Sequence, residues 1–231
     1  CKMILLTPKF TRDQLMRACS ETLRANNLAE GYLRPVVFLG EGAMGYVFRA
    51  KDESLGADVV IKMIKPELAK DASLRNRFLR EAKAAAALRS SDHIVPVYSV
   101  RELDLGDDGF LLYLTMPFLE GETLDARMNR VKGQPLPLRE QLEIGRQIAE
   151  GLRAAHQVGL VHRDIKPANI WIEARPDGSQ RVKLLDFGLV LMMSESRLTS
   201  MEGTLGTPVY MSPEQARTPE VDHRTDLWSL G

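Results

Sequence analysis

The stretch Val161-His162-Arg163-Asp164-Ile165-Lys166-Pro167-Ala168-Asn169 decides how the chain is to be read. It sets an acid, a lysine and an asparagine around a proline: a proton acceptor, a fixed cation and an oxygen ligand for a metal. Phosphoryl transfer asks a protein for positioning and charge neutralisation more than for covalent chemistry, and these groups supply both. The plainer reading is a charged turn after a helix, so the flanks have to decide.

Downstream, Ile170-Trp171-Ile172 and Val182-Lys183-Leu184-Leu185 read as two strands joined by the polar turn Arg175-Pro176-Asp177-Gly178. They deliver Asp186-Phe187-Gly188 where a strand hands over to a loop. Upstream, Leu138 to Val158 has the apolar spacing of a long amphipathic helix through Leu142, Ile144, Ile148 and Leu152. His156, near its end, reads as a packing or capping residue rather than a base, and His93 and His223 read the same way. Phe110 to Met116 is a buried strand, followed by the extended connector Pro117 to Gly121.

Further towards the N-terminus, Val36 to Leu39 leads into Gly40-Glu41-Gly42-Ala43-Met44-Gly45. Dinucleotide-binding folds share that glycine spacing, but their turn must open a helix. The β-rich Tyr46-Val47-Phe48-Arg49-Ala50 predicts a second strand instead, with the glycines at a hairpin tip. Asp58 to Ile64 is another strand, and Lys62 within it must either snorkel at an edge or meet an anion. Glu81 falls on a predicted helix from about Ser73 to Arg89. Taken alone it is a surface ion pair with Arg77 or Arg80, worth under ~1 kcal/mol. Residues 1–32 read as a separate lead-in with a short helix over Thr11 to Asn26, capped by Thr11 and Gln14.

In this order, the glycine loop, Lys62, Glu81, the loop at Asp164, Asp186-Phe187-Gly188 and Tyr210-Met211-Ser212-Pro213-Glu214-Gln215 resemble the protein-kinase family over about Leu33 to Gly231. Gly-Ala-Met-Gly and His-Arg-Asp-Ile-Lys-Pro-Ala-Asn are most similar to bacterial members of the eukaryotic-like serine/threonine branch. The resemblance implies an α+β bilobal fold: a β-rich N-lobe with one main helix (33–116), a hinge (117–121) and a mostly helical, incomplete C-lobe (122–231). It implies ATP and magnesium, or manganese in its place, as cofactors, with protein serine and threonine hydroxyls as substrates, the chain itself in trans among them.

The same resemblance assigns roles residue by residue. Asp164 would accept the hydroxyl proton, Lys166 would face the transferred phosphate, and Asn169 and Asp186 would hold the metal. Glu81 would hold Lys62 against the α and β phosphates. Leu39, Gly40, Gly42, Gly45, Val47, Val60, Lys62, Met116, Pro117, Leu119 and Trp171 would surround the nucleotide, with Met116 as gatekeeper. Pro117 would offer only its carbonyl and Leu119 its amide, so proline is no obstacle. His162 would be a structural spine residue. Arg163 would meet a phosphothreonine, with Thr199 or Thr204 autophosphorylated and Thr207 touching Asp164 and Lys166. Asp226 would fix the catalytic-loop backbone. Val60 stands where the family usually has alanine and Trp171 where it has leucine; either both reshape the purine slot or Trp171 fills core.

A pseudokinase or docking scaffold is the competing class, although every charged group of the chemistry is present. A nucleotide hydrolase would need the phosphate loop Gly-x4-Gly-Lys-Ser/Thr, which the sequence lacks. Lysine plus arginine equals aspartate plus glutamate at 31 each, which argues against nucleic-acid binding by phosphate neutralisation. Cys1 and Cys19 form neither a metal spacing nor a disulfide framework. No membrane-length apolar run and no signal peptide are recognisable. A cytoplasmic location is expected, with tethering of the parent protein through a missing C-terminal part left open. The chain starts on cysteine and stops inside an apolar pattern, so both ends are expected to be cut. Glu214 would then lack a family arginine, and an unpaired buried carboxylate costs ~3 to 5 kcal/mol, so residues 1–231 alone are expected to be marginally stable.

Overall fold

The computed structural model describes residues 33–41, 45–52, 56–64, 69–104, 110–131, 134–186, 208–218 and 220–231. The lead-in helix, Gly42, Phe187, Gly188, Thr199, Thr204 and Thr207 lie outside them. The chain divides into two compact units, one formed by Cys1–Lys70 with Arg101–Phe118, the other by Asp71–Val100 with Leu119–Gly231.

The first unit is built on a five-stranded sheet in the order β1-β2-β3-β5-β4: β1 Leu33–Glu41, β2 Gly45–Asp52, β3 Ala57–Ile64, β4 Ser99–Asp104 and β5 Phe110–Pro117. Strands β1, β2, β3 and β5 pair antiparallel. Side chains alternate across a strand, so Tyr46, Phe48 and Ala50 of β2 and Val59, Ile61 and Met63 of β3 share one buried face. Strand β5, between β3 and β4, is covered on both sides, and Leu111, Leu112, Tyr113 and Leu114 are all buried. That is why its sequence reads as a continuous apolar run instead of an alternating one. The hairpin expected around the glycines is the β1–β2 pair, and no helix follows Gly45.

The second unit carries α1 Ala72–Ala86, α2 Leu124–Arg130, α3 Leu138–Gln157 and α4 Arg224–Leu230. It also holds a small sheet of β6 Gly121–Thr123, β7 Ile170–Ala174 and β8 Gln180–Leu184. Helix α3 buries Ile144, Ile148, Leu152 and Ala155 at the spacing of one helical face. Leu142, counted with that stripe from sequence, is 65% exposed and lies off the buried face. Gln147 holds β8 through its Oε1, which accepts the Val182 amide at 2.8 Å. Beside β8, Ile94 makes an isolated parallel bridge to Leu184, with the Leu184 amide on His93 O at 2.9 Å and the Val95 amide on Leu184 O at 3.1 Å. Gly151 lets α3 approach: an added Cβ would stand 2.9 Å from His93 O. His93 is therefore a packing residue, its Nδ1 on Val182 O at 3.0 Å and its Nε2 near Glu150 at 3.1 Å.

Candidate active site

Strand register decides which side chains of the first unit can act together. Val47 stands opposite Lys62, and Lys62 opposite Leu114; Arg49 stands opposite Val60, and Val60 opposite Met116. Directly opposed residues share a face, so Val47, Val60, Lys62 and Met116 project from the same side of the sheet. Gly40 is opposite Val47 on β1, and Leu39 falls in the irregularity between Phe38 and Gly40. Gly45 opens β2 opposite Ile64, and Pro117 closes β5 opposite Val59. Beyond β5, the Phe118 amide donates to Asp58 O at 3.2 Å. The Arg49 guanidinium lies 4.1 Å from the centroid of the Phe118 ring and pairs with the Asp58 carboxylate. This clamp on the connector was not foreseen from sequence.

In the second unit the loop at Asp164 is closed on itself. Lys166 Nζ lies 2.8 Å from Asp164 Oδ2. Asn169 Nδ2 donates to the same oxygen at 2.6 Å and to the Asp164 carbonyl at 2.9 Å. Pro167–Asn169 forms a single 3-10 turn, which brings the asparagine back over the acid. The acid, the lysine and the asparagine of the opening stretch thus converge on one carboxylate.

The backbone before Asp164 is held in an unusual state. Arg163 has φ 66°, a left-handed conformation that arginine rarely adopts. Asp226, fully buried, over-determines it: one oxygen accepts the Arg163 amide at 2.6 Å, the other the His162 amide at 2.8 Å and His156 Nε2 at 2.8 Å. His162 is fully buried as well, its Nε2 on Leu185 O at 2.7 Å and its Nδ1 accepting the Asp164 amide at 3.3 Å. A carbonyl can only accept and an amide only donate, so the ring is neutral with its proton on Nε2. Burial accordingly pushes its pKa below the ordinary imidazole value.

Asn169 is tied to the strand end that carries Asp186, since the Leu185 amide donates to Asn169 O at 2.9 Å. Asp186 itself has φ 58°. Trp171, on β7 opposite Thr123, lays its indole edge against Gly121, where a Cβ would stand 3.0 Å from Nε1. That Nε1 is buried without an acceptor among the described residues. Glu81 lies on α1. Leu119 follows the clamped Phe118 and is half-buried.

Sequence reasoning missed part of the support. His156, expected only to pack or cap, donates to Asp226. Gln215 Nε2 donates to the Arg163 carbonyl at 2.8 Å. Ser212 and Thr225, both fully buried, share a hydroxyl contact of 2.6 Å. Ser-x-x-Gln is a capping-box spacing, so Ser212 with Gln215 did carry a local signal.

A family model for the protein kinase domain matches residues 34–231. The chain is 40% identical over 194 residues to the serine/threonine-protein kinase PknB of Mycobacterium leprae, covering 84% of this chain and 30% of that protein. It is 39% identical over 202 residues to the serine/threonine-protein kinase pkn3 of Myxococcus xanthus, covering 86% and 36%. It thus spans about a third of the length of these curated relatives. The crystal structure of the Mycobacterium tuberculosis PknI kinase domain is similar at a TM-score of 0.67 and 31% identity, covering 87% of this chain and 71% of that one. Matched from its first strand to Gly231, the chain belongs to the protein kinase domain family.

Proposed function

We propose that the chain transfers the γ-phosphoryl group of ATP to serine and threonine hydroxyls of proteins, itself in trans among them. The observation that carries this reading is the Asp164 carboxylate with Lys166 Nζ at 2.8 Å and Asn169 Nδ2 at 2.6 Å. Both donors reach Oδ2, and Oδ1 is assigned to orient the incoming hydroxyl and take its proton. Lys166, anchored on the acid, neutralises charge on the phosphoryl group as it moves past. Serine/threonine kinases place a lysine here and tyrosine kinases usually lack it, which supports serine and threonine hydroxyls as the acceptors.

Asn169 commits its amide nitrogen to Asp164, which leaves its side-chain oxygen as a ligand. With the Asp186 carboxylate held on the adjoining strand end, that makes a hard oxygen pair suited to magnesium or manganese. When bound, the ion neutralises the phosphate oxygens and polarises the transferring group. Lys62 is assigned to the α and β phosphates and Glu81 to the role of its anion, and Gly40, Val47, Val60, Met116, Pro117, Leu119 and Trp171 are assigned to the nucleotide. Arg163, Thr199, Thr204 and Thr207 are assigned to regulation through phosphorylation. Among the described residues no helix is long and apolar enough to cross a membrane, and we place the catalytic unit in the cytoplasm, where ATP is available.

The test is transfer of labelled phosphate from ATP to a general basic protein by the full-length protein and its Asp164→Asn variant. The variant is expected to lose at least about a hundredfold in rate. Equal rates would overturn the assignment.

A further inference from the structure

We infer that Gln215 is a positioning residue for the catalytic acid, tying the segment that carries Ser212 to the peptide plane in front of Asp164. The inference rests on the phosphotransfer reading above. The Arg163–Asp164 peptide plane is pinned at both ends: its carbonyl accepts from Gln215 Nε2 at 2.8 Å, and its amide donates to His162 Nδ1 at 3.3 Å. Fixing that plane fixes the backbone direction from which the Asp164 side chain leaves. Asp226 holds only the preceding amides, of His162 and Arg163. Gln215 reaches the Arg163 carbonyl from a different segment of the chain.

The amide orientation of Gln215 is settled by its partners. The Ser212 amide donates to Oε1 at 3.0 Å, and the Arg163 carbonyl needs a donor, so each end of the side chain has one possible occupant. The Gln215 backbone N–H in turn donates to Ser212 Oγ at 3.4 Å, and that hydroxyl meets Thr225 Oγ1 at 2.6 Å inside the core. Thr225 precedes Asp226 on α4, so the chain of contacts closes: Arg163 to Asp226, Thr225 to Ser212, Gln215 back to Arg163. The plainer explanation is a capping box, in which Ser212 and residue 215 satisfy each other's backbone amides. A capping box needs only an acceptor at position 215, and glutamate serves as well as glutamine. The donor to Arg163 is the additional feature, and glutamate lacks it when ionised.

That difference gives the experiment. Full-length protein and the variants Gln215→Glu, Gln215→Ala and Ser212→Ala are compared for kcat, KM for ATP and melting temperature. Gln215→Glu is expected to lower the melting temperature modestly, since a carboxylate then faces the Arg163 carbonyl, while the folded protein keeps its KM for ATP and loses kcat about tenfold. Lowering the pH, which protonates the introduced carboxyl and restores a donor, is expected to recover kcat relative to the parent protein. Ser212→Ala is expected to lower the melting temperature with kcat within about threefold, because the tie to Arg163 persists. A Gln215→Glu variant with kcat within twofold of the parent, or one whose loss is fully matched by its unfolded fraction, overturns the inference while leaving the kinase reading standing. An inactive parent protein overturns both.

Discussion

His156 Nε2 stands 2.8 Å from a carboxylate oxygen of Asp226 across 70 residues of chain. A carboxylate only accepts, so this nitrogen must carry a proton, and His156 completes a set of three donors on a fully buried acid. Replacing His156 by alanine is expected to cost about 1–3 kcal/mol in a urea titration, with activity falling alongside. His156→Gln, whose amide can reach the same oxygen, is expected to recover part of both. No loss in the alanine variant would show that Asp226 is held by the two backbone amides alone.

Gly121 and Gly178 both have positive φ, at 143° and 79°, yet they predict opposite outcomes. A Cβ on Gly121 would meet the backbone oxygen of Ile172 at 2.0 Å, whereas one on Gly178 would meet nothing within 4 Å. Gly121→Ala is expected to cost more than about 3 kcal/mol or to abolish soluble expression, and Gly178→Ala only about 1–2 kcal/mol from the left-handed backbone. Equal denaturation midpoints for the two would refute the packing argument.

Acid should destabilise the second unit through His162. Burial lowers its folded-state pKa below the ordinary 6.5; Asp226, Asp164 and Asp186 pull the other way but do not prevail. The unfolded chain therefore takes up the proton first as pH falls. The contribution is fully present above about pH 6.5 and is lost below it, at up to about 1.4 kcal/mol per pH unit. Urea midpoints between pH 7 and pH 5.5 should show this slope and His162→Gln should flatten it; parallel slopes would exclude His162 as the titrating group.

Trp171 packs its indole edge on Gly121, and its Nε1 is buried without an acceptor among the described residues. If the ring borders the purine, as proposed, Trp171→Leu should change the affinity for ATP-competitive purine-site inhibitors several-fold before it changes turnover. Unchanged affinities across an inhibitor panel would leave Trp171 a packing residue only.

The local chemistry was legible because its parts are close in sequence. Asp164, Lys166 and Asn169 lie within six residues, and the 3-10 turn Pro167–Asn169, opened by proline, folds the asparagine back onto the acid. The strands were legible from β-branched runs and turn residues, and the single-faced array of Val47, Val60 and Lys62 follows from their alternation once the hairpins are paired. Distant support was not legible. His156 with Asp226 and Gln215 with Arg163 are contacts between segments 70 and 52 residues apart, and no periodicity announces a hydrogen bond that only tertiary packing creates. Leu142 shows the converse: it was counted with the core stripe, but two positions before Ile144 it stands about 160° round the helix from that residue, on the solvent side.

The left-handed turn at Arg163 has an evolutionary consequence. Its strain is borne by Asp226, a side chain at the centre of the interior, so the parts that aim the acid and the parts that keep the unit folded are the same atoms. A substitution at Asp226 that loosens the aim therefore also loosens the core. Adaptation to new substrates is thereby channelled away from this loop, towards the surfaces around it.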